Sequence, residues 1–488
     1  MEYLDPQHVK RQHTLLMLGY GLIAIAVTIG TTILVWQAYG YTEQNGKIIQ
    51  DGMIFISSQP NPASIYINGQ LNAASTNTRL TIPSGAYKFQ LTAPGYRPWN
   101  HVIVLLGGMV VHYDYPLLFP TKLTSTNIAK YSAAPEVASQ SPSQQYLVVS
   151  SPTDFSSFLL YDLTNPTAAP VTLTLPAGLL TTAQATQSWK VVGWADNNQY
   201  LLLDHLYDGT QEFIELDTQN PAQSININKT FGVSPTAVSL DNLKYNLFYF
   251  YNSATQTLSS ASIGSPTATT LLTGVLAYDS YQSNTIIYVT ASAGAPSGQV
   301  AVEMNVNGTN YFIRDIPQAQ TYLLNEASYN GNVYTVIGDS SDGYVYIYEG
   351  ALTQATSGND RVVPFRALKI SNPTYDAFAP TAQFILVENG TSFAIYDIYN
   401  DLIYHYHVSL PLQSPQQHVQ WMDGDRLAYV SSSKLTVLDY DNTNLQVLNS
   451  ALPQYQTFFA PNYLSYFNLS QGSSAISANL EQTSLVAP

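Results

Sequence analysis

The chain has 488 residues, which is more than one ordinary hydrophobic core needs, so about two or three folded units are expected. Hydrophobic residues make up 45% of the sequence and the net charge is -15, which excludes global disorder and disfavours nucleic acid as a partner. Cysteine is absent, which excludes disulfides and thiolate metal sites and favours a bacterial over a eukaryotic secretory setting.

The first predicted element is an apolar helix from Thr14 to Trp36, which contains no charged residue. A helix of this length can cross the hydrocarbon core of a bilayer, which is about 30 Å thick. Lys10 and Arg11 precede the span and favour an N-terminus inside the cell. A cleaved signal peptide is the alternative, but its apolar core would be shorter and its exit less bulky than "VWQAYGY". We therefore predict an uncleaved signal anchor in the cytoplasmic membrane of a bacterium, crossing it once, with the bulk of the chain extracytoplasmic.

Residues 52–120 consist of short β-rich runs separated by Gly, Pro and Asn, which is typical of antiparallel strands joined by tight turns. Alternation of apolar and polar residues in "SIYIN" and "YKFQL" predicts a small β-sandwich with one buried face per strand. The pattern of these runs requires no catalytic residue.

The stretches "NPASIYINGQ" and "LTIPSGAYKFQLTAPGYRPW" resemble the PEGA domain, a small extracytoplasmic β module found beside membrane anchors in bacterial envelope proteins. The segment departs from the family at Thr76–Thr78, where a Thr-Pro pair is usual. The resemblance implies a structural or envelope-associated module and assigns no catalytic residue. The matching positions are Pro62, Ala63, Tyr66, Asn68, Gly69, Pro83, Gly85, Tyr87, Gly95 and Tyr96.

Beyond about Ser125 a phrase made of a polar turn and an apolar run recurs about eight times, at a mean spacing of about 45 residues. It is clearest in "WADNNQYLLL" and "WMDGDRLAYV". We interpret each copy as the turn after the innermost strand of a propeller blade, followed by the buried second strand. A single four-stranded sheet cannot bury both of its faces, whereas blades packed radially can. The phrase resembles the turns of TolB-like and WD40-like propellers and implies eight blades, with seven as the alternative.

The last copy of the phrase is followed by too little sequence for a complete blade. We therefore predict that Thr121–Ala129 supplies the missing outer strand. The predicted fold is all-β apart from one N-terminal transmembrane helix, with a small PEGA-like β-sandwich followed by a β-propeller. The predicted segments are a cytoplasmic tail at 1–13, the signal anchor at 14–37, a linker at 38–51, the PEGA-like domain at 52–120, the propeller at 121–480 and a flexible tail at 481–488.

Metal and cofactor sites are not predicted. His405 and His407 would face one side of a strand with His418 nearby, but three imidazoles without a carboxylate in register favour surface residues over a metal site. The run "DYDNTN" at Asp439–Asn444 lacks the Gly and the terminal Glu of a calcium loop, so a hairpin turn is favoured. The hydrolase motifs G-x-S-x-G and H-E-x-x-H do not occur in the sequence.

The sequence favours a non-catalytic, extracytoplasmic, envelope-associated binding or scaffold protein. Its partner would be an envelope protein or a cell-wall polymer, bound where turns converge on one propeller face. An enzyme acting on polysaccharide or peptidoglycan fragments in the central pocket stays open and would require paired carboxylates facing the channel. An accessory subunit of a membrane sensing or secretion complex also stays open. The candidate binding residues are Asp196, Asp241, Asp342 and Asp423.

Overall fold

A computed structural model describes residues 6–44, 46–241, 244–281, 285–291, 294–357, 362–413 and 417–487. The chain forms two compact units, one ending at Lys122 and the other running from Leu123 to Val486.

The first unit begins with helix α1, Pro6–Ala38. Its segment Lys10–Ala38 is long and apolar enough to cross a membrane. The helix begins before the predicted span, so residues 6–13 of the predicted cytoplasmic tail are helical, and residues 1–5 lie outside the described part of the chain. The reason is that Gln, Lys and Arg are good helix formers and that proline is tolerated in the first turn of a helix.

A β-sandwich of two four-stranded sheets follows α1 and confirms the predicted small β domain. Its core contains Ile54, Ile65, Phe89 and Trp99, all of which are almost fully buried. The first sheet has the order β1-β2-β5, with β8 parallel to β2, and consists of β1 Tyr41–Gln44, β2 Lys47–Ile56, β5 Thr78–Pro83 and β8 Val110–Tyr113. The second sheet has the order β4-β3-β6-β7 and consists of β4 Gln70–Ser75, β3 Ser64–Ile67, β6 Gly85–Thr92 and β7 Trp99–Leu105.

The segment predicted as a linker, 38–51, forms a hairpin of β1 and the start of β2, with Tyr41 opposite Gln50. The linker prediction was wrong because it overlooked the Asn-Gly pair in the sequence between the two strands, which is a frequent hairpin signal. Where the sequence departs from the PEGA pattern, Thr76 has a structural role. Its Oγ1 accepts a hydrogen bond from the backbone N–H of Ala63 at 2.7 Å.

The second unit is an eight-bladed β-propeller, as predicted, in which each blade is a four-stranded sheet. Its first strand, β9, Thr124–Tyr131, belongs to the last blade. Blades 1 and 2 comprise, in turn, β10 Ala138–Gln140, β11 Tyr146–Ser150, β12 Ser157–Asp162 and β13 Val171–Thr174, and then β14 Gln187–Trp194, β15 Tyr200–Tyr207, β16 Thr210–Asp217 and β17 Ile225–Asn226. Blade 3 comprises β18 Ala237–Leu240, β19 Leu247–Asn252, β20 Thr257–Ser262 and β21 Ser265–Thr273. Blade 4 comprises β22 Val275–Ser280, β23 Thr285–Thr290, β24 Gln299–Val306 and β25 Thr309–Pro317.

Blades 5 to 7 follow the same order of strands. Two short helices, α2 Ile227–Phe231 and α3 Ala351–Thr356, lie in blade 2 and blade 5 connections. Blade 5 comprises β26 Tyr322–Tyr329, β27 Asn332–Asp339, β28 Tyr344–Glu349 and β29 Arg366–Lys369. Blade 6 comprises β30 Tyr375–Phe378, β31 Phe384–Glu388, β32 Ser392–Asp397 and β33 Leu402–His407. Blade 7 comprises β34 Gln420–Trp421, β35 Arg426–Ser431, β36 Lys434–Asp439 and β37 Gln446–Ser450.

Blade 8 joins the two ends of the propeller. It consists of β38 Phe458–Phe459, β39 Ser465–Gln471, β40 Ala478–Ser484 and, as its outer strand, β9. In the antiparallel pair of β40 and β9, Ser484 lies opposite Thr124. The predicted closure by Thr121–Ala129 is confirmed, although the strand begins later, at Thr124, and ends later, at Tyr131.

The predicted flexible tail at 481–488 begins too early, because β40 continues to Ser484. Leu480 and Thr483 on this strand are fully buried, and their burial holds it in the sheet. Residue 488 lies outside the described part of the chain.

A glutamine in the repeated phrase links two turns at one end of a blade by a hydrogen bond. In blade 2, Gln199 Nε2 donates a hydrogen bond to Asp217 Oδ1 at 2.9 Å, which links the first turn to the end of the third strand. In blade 6, Gln383 Nε2 donates to Asp397 Oδ1 at 3.1 Å in the same way. Each aspartate also accepts hydrogen bonds from backbone N–H groups of the turn that follows it. The glutamine before the apolar run therefore has a structural reason to recur.

Candidate functional site in the propeller channel

The first strands of the blades lie innermost and form the wall of the channel. β22, β26 and β30 lie next to one another in this ring. Side chains on the first strands donate hydrogen bonds to neighbouring blades, which holds the wall in one arrangement. The contacts are Trp194 Nε1 to Ser139 Oγ at 2.9 Å, Gln140 Nε2 to Phe459 O at 2.7 Å, Gln420 Nε2 to Thr457 O at 2.7 Å and Trp421 Nε1 to Ala377 O at 3.4 Å.

Three carboxyl side chains lie on first strands of three consecutive blades. Asp279 is on β22, Glu326 on β26 and Asp376 on β30. Asp279 acts electrostatically on both other carboxyls. We call these three residues the acid cluster.

The acid cluster is incompletely hydrogen-bonded. Glu326 Oε1 accepts a hydrogen bond from Thr335 Oγ1 at 2.6 Å, but Oε2 is buried and has no partner in the described part of the chain. Asn325 hydrogen-bonds to Asp376, whose Oδ2 is also buried without a partner among the described residues. Buried polar atoms of native proteins are nearly always hydrogen-bonded, so these two oxygens require an explanation.

The pKa values of the acid cluster are displaced towards neutral pH. Burial raises the pKa of Glu326 to about 7 and that of Asp376 to about 7, and repulsion from Asp279 contributes to both shifts. Burial also raises the pKa of Asp279 to about 6. A group of carboxyls that exchanges protons near neutral pH is a common property of binding and catalytic sites.

A second buried carboxylate, Glu212, shows the opposite behaviour. It accepts hydrogen bonds from the Thr181 backbone N–H at 2.7 Å and from Asn226 Nδ2 at 2.8 Å, and it lies 2.9 Å from His205 Nδ1. Burial alone would raise its pKa, but these hydrogen bonds outweigh burial and lower the pKa of Glu212 to about 2. Because both of its carboxylate oxygens have hydrogen-bond partners, Glu212 holds the connection between blades 1 and 2 in place and is not a candidate site.

Three of the predicted binding residues lie where the sequence placed them. Asp196, Asp241 and Asp423 follow the first strands of blades 2, 3 and 7. Asp342 does not, because it lies between the second and third strands of blade 5. Successive turns of an antiparallel sheet alternate between its two ends, so Asp342 lies at the opposite end from the other three.

The environments of these aspartates differ. Asp423 Oδ1 accepts hydrogen bonds from the backbone N–H groups of Asp425 and Arg426, and its Oδ2 accepts one from Arg426 Nε, each at 2.9 Å. Asp423 therefore stabilises its own turn. Asp241 is buried, which raises its pKa, whereas Asp196 is exposed. Ligand binding by these aspartates stays a prediction.

The three histidines considered as metal ligands lie in two different places. His405 and His407 are exposed on β33, the outer strand of blade 6. His418 Nδ1 lies 2.9 Å from Glu388 Oε1, and its ring stacks on Tyr375 with ring centroids 4.2 Å apart. Within the described ranges, no group of three or more His, Cys, Asp or Glu residues is arranged to hold a metal ion.

The run at Asp439–Asn444 forms the connection between β36 and β37, as the hairpin interpretation predicted. Asn444 Nδ2 donates to Asp439 Oδ2 at 2.8 Å, and the backbone N–H of Thr443 donates to Asp441 Oδ1 at 3.0 Å. The oxygens that could have bound calcium therefore stabilise the turn.

Comparison with known proteins identifies a family for one of the two β units. Residues 51–118 match the PEGA domain family. No curated protein sequence matches the chain significantly. Similar solved structures include the Dos1 propeller, with 10% identity, a TM-score of 0.46 and coverage of 74% of this chain and 95% of that one. Hsv2 of Kluyveromyces lactis has 11% identity and a TM-score of 0.39, with coverage of 72% and 98%.

The dihydro-heme d1 dehydrogenase NirN, solved in complex with DHE, has 14% identity and a TM-score of 0.41, with coverage of 66% of this chain and 67% of that one. Likenesses this distant carry no information about a ligand of this chain. The assignment of the second unit rests on its own eight four-stranded sheets. The chain therefore combines a segment similar to the PEGA domain with an eight-bladed β-propeller.

Proposed function

We propose that the protein is a non-catalytic binding platform of the bacterial cell envelope. In this proposal α1 anchors the chain in the cytoplasmic membrane, and the PEGA-like unit and the propeller lie on the extracytoplasmic side. The apolar segment Lys10–Ala38 supports the anchor, and the basic pair Lys10 and Arg11 supports an N-terminus inside. The partner would be an envelope protein or a cell-wall polymer.

The observation that carries this proposal is the closed ring of eight blades. Both faces of such a ring consist of turns and connections held by a rigid scaffold, which is the usual setting of a binding surface. Hydrogen bonds between first strands, such as Trp194 to Ser139, fix the spacing of adjacent blades. Preorganisation of this kind lowers the entropy lost when a ligand binds.

Membrane topology can be measured directly because the natural chain has no cysteine. Single cysteines at Gln12 and Gln70, which are exposed before and after the apolar segment, would be labelled with a membrane-impermeant maleimide in intact bacteria expressing the full chain. We expect labelling of Gln70→Cys, and labelling of Gln12→Cys after lysis. Labelling of Gln12→Cys in intact cells would contradict the orientation, and extraction of the chain by carbonate would contradict the anchor.

Partner binding would be measured with the full chain in detergent. Purified peptidoglycan and detergent-solubilised envelope proteins would be tested for retention at two salt concentrations, with heat-unfolded protein as the control. Specific retention of one polymer or one envelope protein supports the proposal. Equal retention by folded and unfolded protein contradicts it.

The acid cluster also favours one second candidate, an enzyme acting on polysaccharide. A carboxyl whose pKa is raised to about 7, as in Glu326, can donate a proton to a leaving group. The full chain would be incubated with peptidoglycan, and new reducing ends would be counted for the natural chain and for Glu326→Gln. Reducing ends that depend on Glu326 would replace the non-catalytic proposal with this one.

A further inference from the structure

We propose that the acid cluster binds the protonated primary amino group of a ligand that enters the propeller channel. The inference rests on the binding function proposed above and specifies the chemistry of one ligand group. It is carried by Glu326 Oε2 and Asp376 Oδ2, two buried oxygens from neighbouring blades that have no partner among the residues that the structure describes.

The remaining hydrogen-bonding capacity of the cluster fits a donor from outside. Glu326 is 7% exposed, and its other oxygen is occupied by Thr335 at 2.6 Å. Asp376 is already hydrogen-bonded by Asn325. Each carboxyl is therefore held in place by a neutral neighbour and keeps one oxygen for a further donor.

This arrangement favours an ammonium over a guanidinium group. A guanidinium pairs best with both oxygens of one carboxylate, through two parallel N–H bonds. An ammonium group has three separate donors on a compact charge, so it can use single oxygens of different carboxylates. Glu326 and Asp376 would each accept one of these donors, and Asp279, which acts electrostatically on both, would be the third acceptor.

Part of the cluster borders solvent, although its two unpartnered oxygens are buried. Asp279 and Asp376 are half-buried, whereas Glu326 lies deeper. A net charge of -15 attracts cations to the protein as a whole. An amine that reaches the two half-buried aspartates would then contact Glu326.

Amine binding should strengthen as the pH rises, because an ammonium group stabilises the ionised carboxyls. The titratable groups on the neighbouring strands are Asp279 and Tyr278 on β22, and Asp376 and Tyr375 on β30. Burial raises the pKa of both tyrosines to about 12, so they stay neutral in the range considered. His418, which stacks on Tyr375, would be replaced by asparagine to measure its own contribution to the pH dependence.

The first experiment is calorimetric titration of the full chain in detergent with putrescine at pH 8. 1,4-Diguanidinobutane, which carries a guanidinium in place of each amine, and uncharged 1,4-butanediol are the matched comparisons. We expect putrescine to bind at least about tenfold more tightly than 1,4-diguanidinobutane, because a guanidinium pairs best with both oxygens of one carboxylate and fits single oxygens of two carboxylates less well. We expect at least about a tenfold loss of putrescine affinity at pH 5.5, where the carboxyls are protonated.

Variants locate the binding. Glu326→Gln and Asp376→Asn should each weaken putrescine binding by at least about tenfold, since each removes a charged acceptor. Glu215→Gln is the matched control, because Glu215 is 3% exposed and has one oxygen without a partner in the described ranges, but lies on β16, the third strand of blade 2. Circular dichroism would establish that each variant is folded. Equal loss of binding in Glu215→Gln would overturn the proposal.

Calcium chloride and two short peptides complete the design. If the natural chain binds calcium but not putrescine, and Glu326→Gln loses the calcium binding, the cluster is a metal site and the proposal is overturned. A peptide with one lysine and its acetyl-lysine counterpart distinguish the two sources of the amine. Binding of putrescine indicates a free amine, binding of the lysine peptide alone indicates a protein side chain, and binding of neither overturns the proposal.

The inference and the proposed function can fail separately. If the full chain retains an envelope partner but binds no amine, the inference fails and the binding platform stands. If the retention experiment also fails, both are rejected.

Discussion

Replacing Glu326 with glutamine removes an ionisable group from the acid cluster while nearly preserving the shape of the side chain. In the folded protein the pKa of Glu326 is about 7, compared with an ordinary value of 4.5. The folded state therefore binds the proton more tightly than the unfolded chain does. As a result, the free energy of unfolding of the natural protein falls as the pH rises from 4.5 through 7.

One pKa unit corresponds to about 1.4 kcal/mol, so the loss contributed by this group approaches about 3 kcal/mol above pH 8. Glutamine does not ionise, and its carbonyl oxygen can still accept the hydrogen bond from Thr335 Oγ1. We expect Glu326→Gln and the natural protein to have similar stability at pH 4.5. At pH 8 the variant should be more stable by up to about 3 kcal/mol.

Urea unfolding followed by tryptophan fluorescence at pH 4.5, 6, 7 and 8 measures this difference. Asp196→Asn is the control, because it removes one negative charge from an exposed turn of the same propeller. If the free energies of unfolding of Glu326→Gln and of the natural protein differ by the same amount at every pH, the argument that ionisation of Glu326 destabilises the folded protein is refuted.

Three further changes address packing and closure. Gly52→Ala should destabilise the β-sandwich by about 1–3 kcal/mol in urea unfolding, because its Cβ would lie 2.4 Å from the buried leucine at the end of β7. Gly193→Ala, whose Cβ would meet nothing within 4 Å, is its control and should have a smaller effect. Glu212→Ala should cost about 3–5 kcal/mol in thermal unfolding, because its histidine partner stays buried without the carboxylate. Deleting β9 should make blade 8 sensitive to limited proteolysis, because β40 loses its outer neighbour; unchanged resistance would contradict the role of β9 in closure.

The fold was largely predictable because repetition leaves a strong sequence signal. Each copy of the phrase combines a turn with an apolar strand, and eight copies correspond to eight blades. The closure by β9 followed from counting strands in the last repeat. The hairpin of β1 and β2 was missed because short polar strands beside a long apolar helix resemble a linker. The end of β40 was missed because "EQTS" has little apolar content.

The acid cluster was harder to predict because its residues are distant in sequence and converge through the ring. Asp279, Glu326 and Asp376 lie about one repeat apart, on the strand before the repeated turn, where the turn pattern gives no signal. A carboxyl at the first strand of consecutive repeats is the signal that could have found them. Their raised pKa values depend on burial by neighbouring blades, which no local pattern reveals. Asp342 was misplaced because "DSSDG" follows a second strand rather than a first.

The closure of blade 8 also sets the order in which the propeller can be completed. β9 is synthesised first and β40 last, and the hydrogen-bonded pair Ser125 and Thr483 is separated by 358 positions in sequence. Contacts between such distant residues form slowly. Until blade 8 emerges, the apolar surface of blade 1 that contains Leu147 and Tyr161 lacks its partner. A growing chain therefore leaves this apolar surface exposed until its last blade is made, and a prematurely ended chain cannot bury it.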